Sequence, residues 1–260
     1  GLDQAILRME RELPKHSAKM VLFGMVPETI CRVHSYWKHY SEYGNTFAFK
    51  PRFTLDSNKN LVRHMNPVNS IERFINYRNY LPELKKLDYF YKEKFLYDLL
   101  RFPFTFHLIR SWRRNIPLIL ALLHARFSKD DRVQRNPFEK VLYRNHILSA
   151  DLYANINALD LMEALVKYAA EFVRKEGAEP VYCLLPQLQD IKIMRKRGFY
   201  CEEFLTRTGK YMKVIDLCPH MKDLDSIQDY YVDDMWGGHP SVKANELIGQ
   251  IIAQGIKDLL

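Results

Sequence analysis

Cysteine is scarce in this sequence and poorly placed for metal chemistry. The four residues Cys31, Cys183, Cys201 and Cys218 form no CxxC pair and have no histidines beside them at zinc-ligand spacing. That spacing gives no support to a zinc finger or ribbon, and neither a metal nor a cofactor is expected. Cys183 and Cys218 fall in or beside apolar runs, the usage of buried free thiols in a reducing, cytoplasmic-type compartment; the sequence does not fix the compartment itself. Long hydrophobic runs are also missing. The longest, Ile116 to Leu123, is far short of the ~20 residues of a membrane-spanning helix. There is no internal repeat and no low-complexity tract. The chain opens at Gly1 on a helical pattern, without a methionine or a signal peptide, which suggests a fragment or a processed product.

An even distribution of charge is lacking as well. The chain has 260 residues and a formal net charge of +8, but residues 72–144 hold 16 Lys/Arg against 8 Asp/Glu, and the rest carries 23 of each sign. The basic character therefore belongs to one segment. No nucleic-acid motif accompanies it, and no nucleic-acid partner is expected.

Hydrophobic periodicity carries the fold. Leu2, Ala5, Ile6, Met9 and Leu13 recur at helical spacing, and Pro14 ends that helix. Met20 to Val26 is a short apolar run, as in a parallel strand covered on both faces. The order repeats: Leu159, Met162, Leu165, Val166, Ala169, Phe172 and Val173 form a stripe, Gly177 stops it, and Pro180 to Leu185 is a buried strand. Leu188 to Lys196 predicts a helix stopped by Gly198, Tyr211 to Leu217 a strand, and Leu247, Ile248, Ile251, Ile252 and Ile256 one face of a final helix. This alternation predicts a doubly wound α/β fold, a three-layer α/β/α sandwich with a mainly parallel sheet.

A single domain over residues 1–260 is expected, with its scaffold in 1–34 and 150–260. The interruption, residues 35–149, opens with Arg52-Phe53-Thr54-Leu55 and Leu61-Val62-Arg63 around Asp56-Ser57-Asn58-Lys59-Asn60, the pattern of a hairpin. Its second part is aromatic and basic, and Pro82, Pro103, Pro117 and Pro137 are expected to cut it into short helices. A helical cap over the sheet edge is one reading of this part. Membrane-surface contact is another, because residues 101–127 mix aromatic, aliphatic and basic side chains as an interfacial helix does.

The most specific segment is Asp233-Asp234-Met235-Trp236-Gly237-Gly238-His239-Pro240-Ser241. Gly237 and Gly238 permit positive φ, Pro240 holds His239 extended, and Ser241 can cap the helix that follows. The pattern places His239 at the C-terminal edge of the sheet, where open α/β folds bind ligands. By pattern alone it is either a turn residue or a catalytic one.

This segment, Gly238-His239-Pro240-Ser241 with Ala244-Asn245 after it, resembles the last sequence block of the SGNH (GDSL) hydrolase family, in which an Asp and a His precede the C-terminal helix. Gly1-Leu2-Asp3-Gln4 resembles the end of the family's second block, Val21 to Arg32 its third, and Leu184-Leu185-Pro186-Gln187 a strand end of the same subgroup. The resemblance covers residues 1–34 and 150–260. It implies a flavodoxin-like sandwich and a serine esterase or acylhydrolase acting on an O-acyl or acetyl ester, of a small molecule, glycan or lipid. His239 would be the general base, oriented by Asp234 or Asp233, of which Asp234 is favoured. Gly1 and Thr29 would serve the oxyanion, with Thr29 standing where the family has an asparagine. The family's Gly-Asp-Ser block occurs nowhere in the chain. Asp56-Ser57 lies in a predicted turn, so the nucleophilic serine is expected upstream of Gly1, and the chain by itself is expected to be inactive. An O-acyltransferase would use the same groups. A non-catalytic glycan- or acyl-binding protein of this family is the reading from a different class.

Overall fold

The apolar run Pro-Val-Tyr-Cys-Leu gives the structure its central strand. The computed structural model describes residues 1–36, 49–91, 102–110, 112–232 and 238–257. Strand β1 is Met20–Met25, and β2 (Arg52–Leu55) and β3 (Leu61–His64) form a separate pair. Strand β4 is Glu179–Leu184 and β5 is Lys213–Asp216. β4 lies between β1 and β5 and is parallel to both, with Met20 opposite Glu179 and Val181 opposite Lys213. Among the described residues the fold is thus mixed α/β with a small three-stranded parallel sheet.

Helix α1 is Leu2–Glu12, followed by a 3₁₀ turn at Leu13–Lys15 that contains Pro14. α2 is Thr29–His34, α3 Ile71–Ile75, α4 Leu81–Leu87, α5 Phe104–Arg110, α6 Trp112–Phe127 and α7 Asp131–Tyr153. α8 is Ile156–Lys175, α9 Leu188–Arg197, α10 Glu202–Thr208, α11 Cys218–Lys222 and α12 Val242–Lys257. The apolar stripe of α8 is buried at Leu159, Leu165, Val166, Ala169 and Val173, as its spacing predicts.

Burial of β4 explains its apolar sequence. Val181 and Cys183 share a cluster with Ile215 and Leu217, against which Ile248, Ile251, Ile252 and Ile256 of α12 pack. Tyr182 points the other way and meets Phe204 of α10 edge-on, with ring centroids 5.5 Å apart. Helices thus pack on both faces of this strand, which is why it tolerates almost no polar residue. β1 lies at the sheet edge and is less covered: Phe23 is buried while Leu22 is 40% exposed.

The chain divides into two compact units. One comprises Gly1–Val33, Phe53–Arg63 and His146–Leu260, and the other His34–Arg52 and His64–Asn145. The hairpin, which the sequence groups with the interruption, belongs to the sheet-bearing unit and meets its helices through charge. Lys59 Nζ lies 3.0 Å from Asp160 Oδ2 on α8, and Arg63 pairs with Glu10 of α1. Its turn is closed by Asp56, whose Oδ1 accepts from the backbone N–H groups of Asn58 and Asn60. Those contacts, the Asn60 N–H first, hold the Asp56 carboxyl below its ordinary range.

In the second unit, Tyr36, Leu84 and Tyr91 form a small core with Phe49, Leu81 and Leu87. Asp88 organises it by accepting from Tyr36 N at 2.8 Å and Phe90 N at 2.8 Å. Two of the four prolines do not cut this part as the sequence suggests. Pro82 opens α4 and Pro103 directly precedes α5, but Pro117 lies within α6 and Pro137 within α7. Both lie in the first two turns of long helices. A missing N–H there removes one intrahelical bond, and the many turns that follow outweigh it.

Candidate functional site

The loop bearing His239 is built by short-range hydrogen bonds. Tyr231 and Pro240 form an antiparallel bridge, Val232 N donates to His239 O at 2.8 Å, and Ser241 N donates to Tyr230 O at 2.9 Å. Ser241 caps α12 as its position predicts: its Oγ accepts from Ala244 N at 3.3 Å, and its own hydroxyl donates to Asp229 O.

Two contacts fix this loop to the segment leaving β4. Tyr231 Oη donates to Pro186 O at 2.8 Å. Gly238, at φ +69°, lies so close to Leu188 that a Cβ there would be 2.7 Å from the Leu188 Cβ. Only glycine satisfies both conditions. His239 follows directly and is exposed; Pro186 and Leu188, which hold its loop, lie just beyond the C-terminal end of β4. Asp234 and Asp233, proposed as its orienting carboxylates, lie outside the described residues.

Thr29 and Gly1 lie around the loop that leaves β1. Thr29 is buried at the first position of α2, with its hydroxyl toward Met25 Sδ at 3.7 Å. The Gly1 carbonyl accepts from Gln4 N and Ala5 N, opening α1. A Cβ on Gly1 would be 3.0 Å from the Cβ of Arg32, so α1 begins against α2. The ends of β1 and β4 are joined by Leu185 N donating to Met25 O at 2.8 Å. Thr29 thus follows the C-terminal end of β1, with Gly1 packed on the same helix α2, while Gly238 beside His239 packs on Leu188 beyond the end of β4.

A second polar cluster joins residues that no sequence pattern connects. His146 on α7 and Asp190 on α9 are 3% and 0% exposed at their side chains, with Nδ1 and Oδ1 2.7 Å apart. Tyr200 Oη also donates to Asp190 Oδ1 at 2.9 Å, and Gln187 N donates to Oδ2 at 2.9 Å. Burial alone pulls the imidazole pKa down. The charge and hydrogen bond of Asp190, with a smaller push from Glu28 and opposition from Arg32, leave it raised. Ser149 and Tyr153, further along α7, both donate to Pro27 O at 3.0 Å. The cluster ties α7 to the strand ends, and its burial keeps solutes away from the imidazole. Only Asp190, three residues after Gln187, carried a readable signal, that of a helix N-terminus.

All four cysteines are buried thiols outside any disulfide, and burial pushes the Cys183 thiol up to about 12. Among the described residues no group of three His, Cys, Asp or Glu side chains could hold a metal ion. An open groove of about 540 Å³ runs beside β5 and α12, lined in part by Lys213, Asp216, His220 and Gln250. Burial raises the Asp216 carboxyl, against the Cys218 N–H that it accepts. Among the described residues, none that line the groove belongs to the His239 loop. No protein-family model, curated protein or solved structure matches the chain.

Proposed function

We propose that this chain belongs to an SGNH-like serine esterase or acylhydrolase acting on an O-acyl or acetyl ester. The observation that carries this reading is an exposed histidine held at the C-terminal ends of parallel strands, on a turn where Gly238 can be nothing but glycine. In the proposed mechanism a serine upstream of Gly1 attacks the ester carbonyl. His239 takes its proton as general base and returns it to the leaving alcohol. Asp234 orients the imidazole and stabilises its protonated form. Backbone N–H groups near Gly1, with Thr29, would meet the oxyanion. For Thr29 this means turning its hydroxyl away from Met25 Sδ, a weak acceptor that competes poorly with an oxyanion. Helices on both faces of β4 support the three-layer arrangement that this reading implies.

The test uses the full-length protein with p-nitrophenyl acetate. His239→Ala is expected to lower kcat/KM by about 10³-fold, the range for loss of a general base. Equal activity in the parent and the variant would remove His239 from the mechanism. A full-length sequence with no serine in a strand-to-helix turn before Gly1 would remove the enzyme altogether.

A further inference from the structure

Helix α6 turns its most hydrophobic side outward. Trp112, Ile116, Ile119, Leu120, Leu123 and Phe127 are all exposed, from 38% at Ile119 to 82% at Phe127. At about 100° per residue these six positions fall in one stripe about 100° wide. Ala121, on the opposite side, is buried. A water-facing helix normally has the reverse pattern.

The segment before α6 is rich in exposed apolar side chains as well. Phe102 is 86% exposed, and Phe104, Phe106 and Ile109 are exposed beside it, with Phe102 and Phe104 in edge contact at 6.4 Å. Scattered apolar residues are ordinary on a surface, but an array of this extent marks an interaction site.

Charge identifies the partner. Residues 101–127 contain Arg101, Arg110, Arg113, Arg114 and Arg126 and not one aspartate or glutamate; the next acids are Asp130 and Asp131, beyond the end of α6. On the helical wheel Arg113 falls on one flank of the apolar stripe and Arg126 on the other. The Arg113 guanidinium also lies 5.6 Å from the centroid of the Trp112 ring. An apolar stripe with tryptophan and phenylalanine, bordered by arginines whose stems can follow it outward, is complementary to an acyl layer beneath anionic headgroups. α6 has 16 residues, and among the described residues no helix is long and apolar enough to cross a membrane.

We infer that α5 and α6 form a membrane-surface docking face, with α6 lying in the plane of an anionic lipid bilayer, its Trp112–Phe127 stripe among the acyl chains and Arg113 and Arg126 at the phosphates. This is independent of the ester-hydrolase reading, because hydrolysis of a soluble ester does not require it.

The experiment is co-sedimentation of the intact protein with vesicles of mixed phosphatidylcholine and phosphatidylglycerol at low salt. Binding is expected, and it should weaken on pure phosphatidylcholine and as salt is raised. L120E/L123E changes only exposed positions and should keep the parent's circular dichroism while lowering the vesicle partition coefficient at least about tenfold. R113E/R126E should lower it comparably on the anionic vesicles and little on pure phosphatidylcholine. No binding by the intact protein, or unchanged binding by a folded L120E/L123E, overturns the proposal. So does an oligomer that L120E/L123E converts to monomer with vesicle binding unaltered, since a second copy would then cover the stripe.

Discussion

Asp190→Ala is expected to lower the stability of the protein by about 3–5 kcal/mol, the range for breaking a buried charged pair from one side. The reasoning starts from what the substitution strands. Asp190 accepts from His146, Tyr200 and Gln187 N at once. Its loss leaves three donors unsatisfied where His146 and Asp190 are almost wholly enclosed. Asp190→Asn keeps an acceptor in place and is expected to cost less. It also removes the charge, and this makes a pH test available. The folded-state pKa of His146 is raised above its ordinary value of 6.5. The stability that comes from this shift is fully present below the unfolded value and disappears as pH rises through the folded one. The gap between the parent and Asp190→Asn in urea unfolding should therefore be widest on the acid side of 6.5 and narrow at alkaline pH. A gap independent of pH would mean that the imidazole is not charged in the folded protein. A loss below about 1 kcal/mol for Asp190→Ala would show that the cluster relaxes around the gap.

Gly238→Ala is expected to cost about 2–4 kcal/mol, combining a left-handed backbone with a clash. The new Cβ would lie 2.7 Å from the Leu188 Cβ, which sits directly on the backbone and cannot rotate away. The loop must move, and His239 moves with it. In the full-length protein the same change should also depress ester hydrolysis. A double-mutant cycle isolates the contact. Leu188→Ala retains the offending Cβ and should rescue nothing, whereas Leu188→Gly removes it and should recover part of the loss. Strict additivity with Leu188→Gly would assign the whole cost to the backbone conformation.

The parts of this structure that the sequence disclosed are those set by local pattern. The stripe of α8, the apolar run of β4 and the Asp56–Asn60 turn each follow from neighbours a few residues apart. The Gly-His-Pro-Ser turn was readable for the same reason, down to the cap at Ser241. Features set by distant partners were not readable. His146 meets Asp190 across 44 residues, and Lys59 meets Asp160 across 101. Neither spacing has a meaning before the fold brings the residues together. Pro117 and Pro137 misled because a proline's local preference is weaker than the cooperativity of a long helix around it. α10 escaped because it is seven residues long and buries little beyond Phe204, Leu205 and Thr208.

The parallel register also has a kinetic meaning. Val181 pairs with Lys213 across 32 residues, whereas Met20 pairs with Glu179 across 159. Closing the longer loop costs about 1.4 kcal/mol more in chain entropy. The edge strand is also less buried than the central one, so less apolar contact compensates for the closure. The contiguous stretch from α8 to β5 should therefore assemble first, with β1 joining it late. Pulsed hydrogen exchange during refolding should find β5 amides protected before those of β1. Simultaneous protection would mean that the long intervening segment collapses early enough to bring β1 to the sheet.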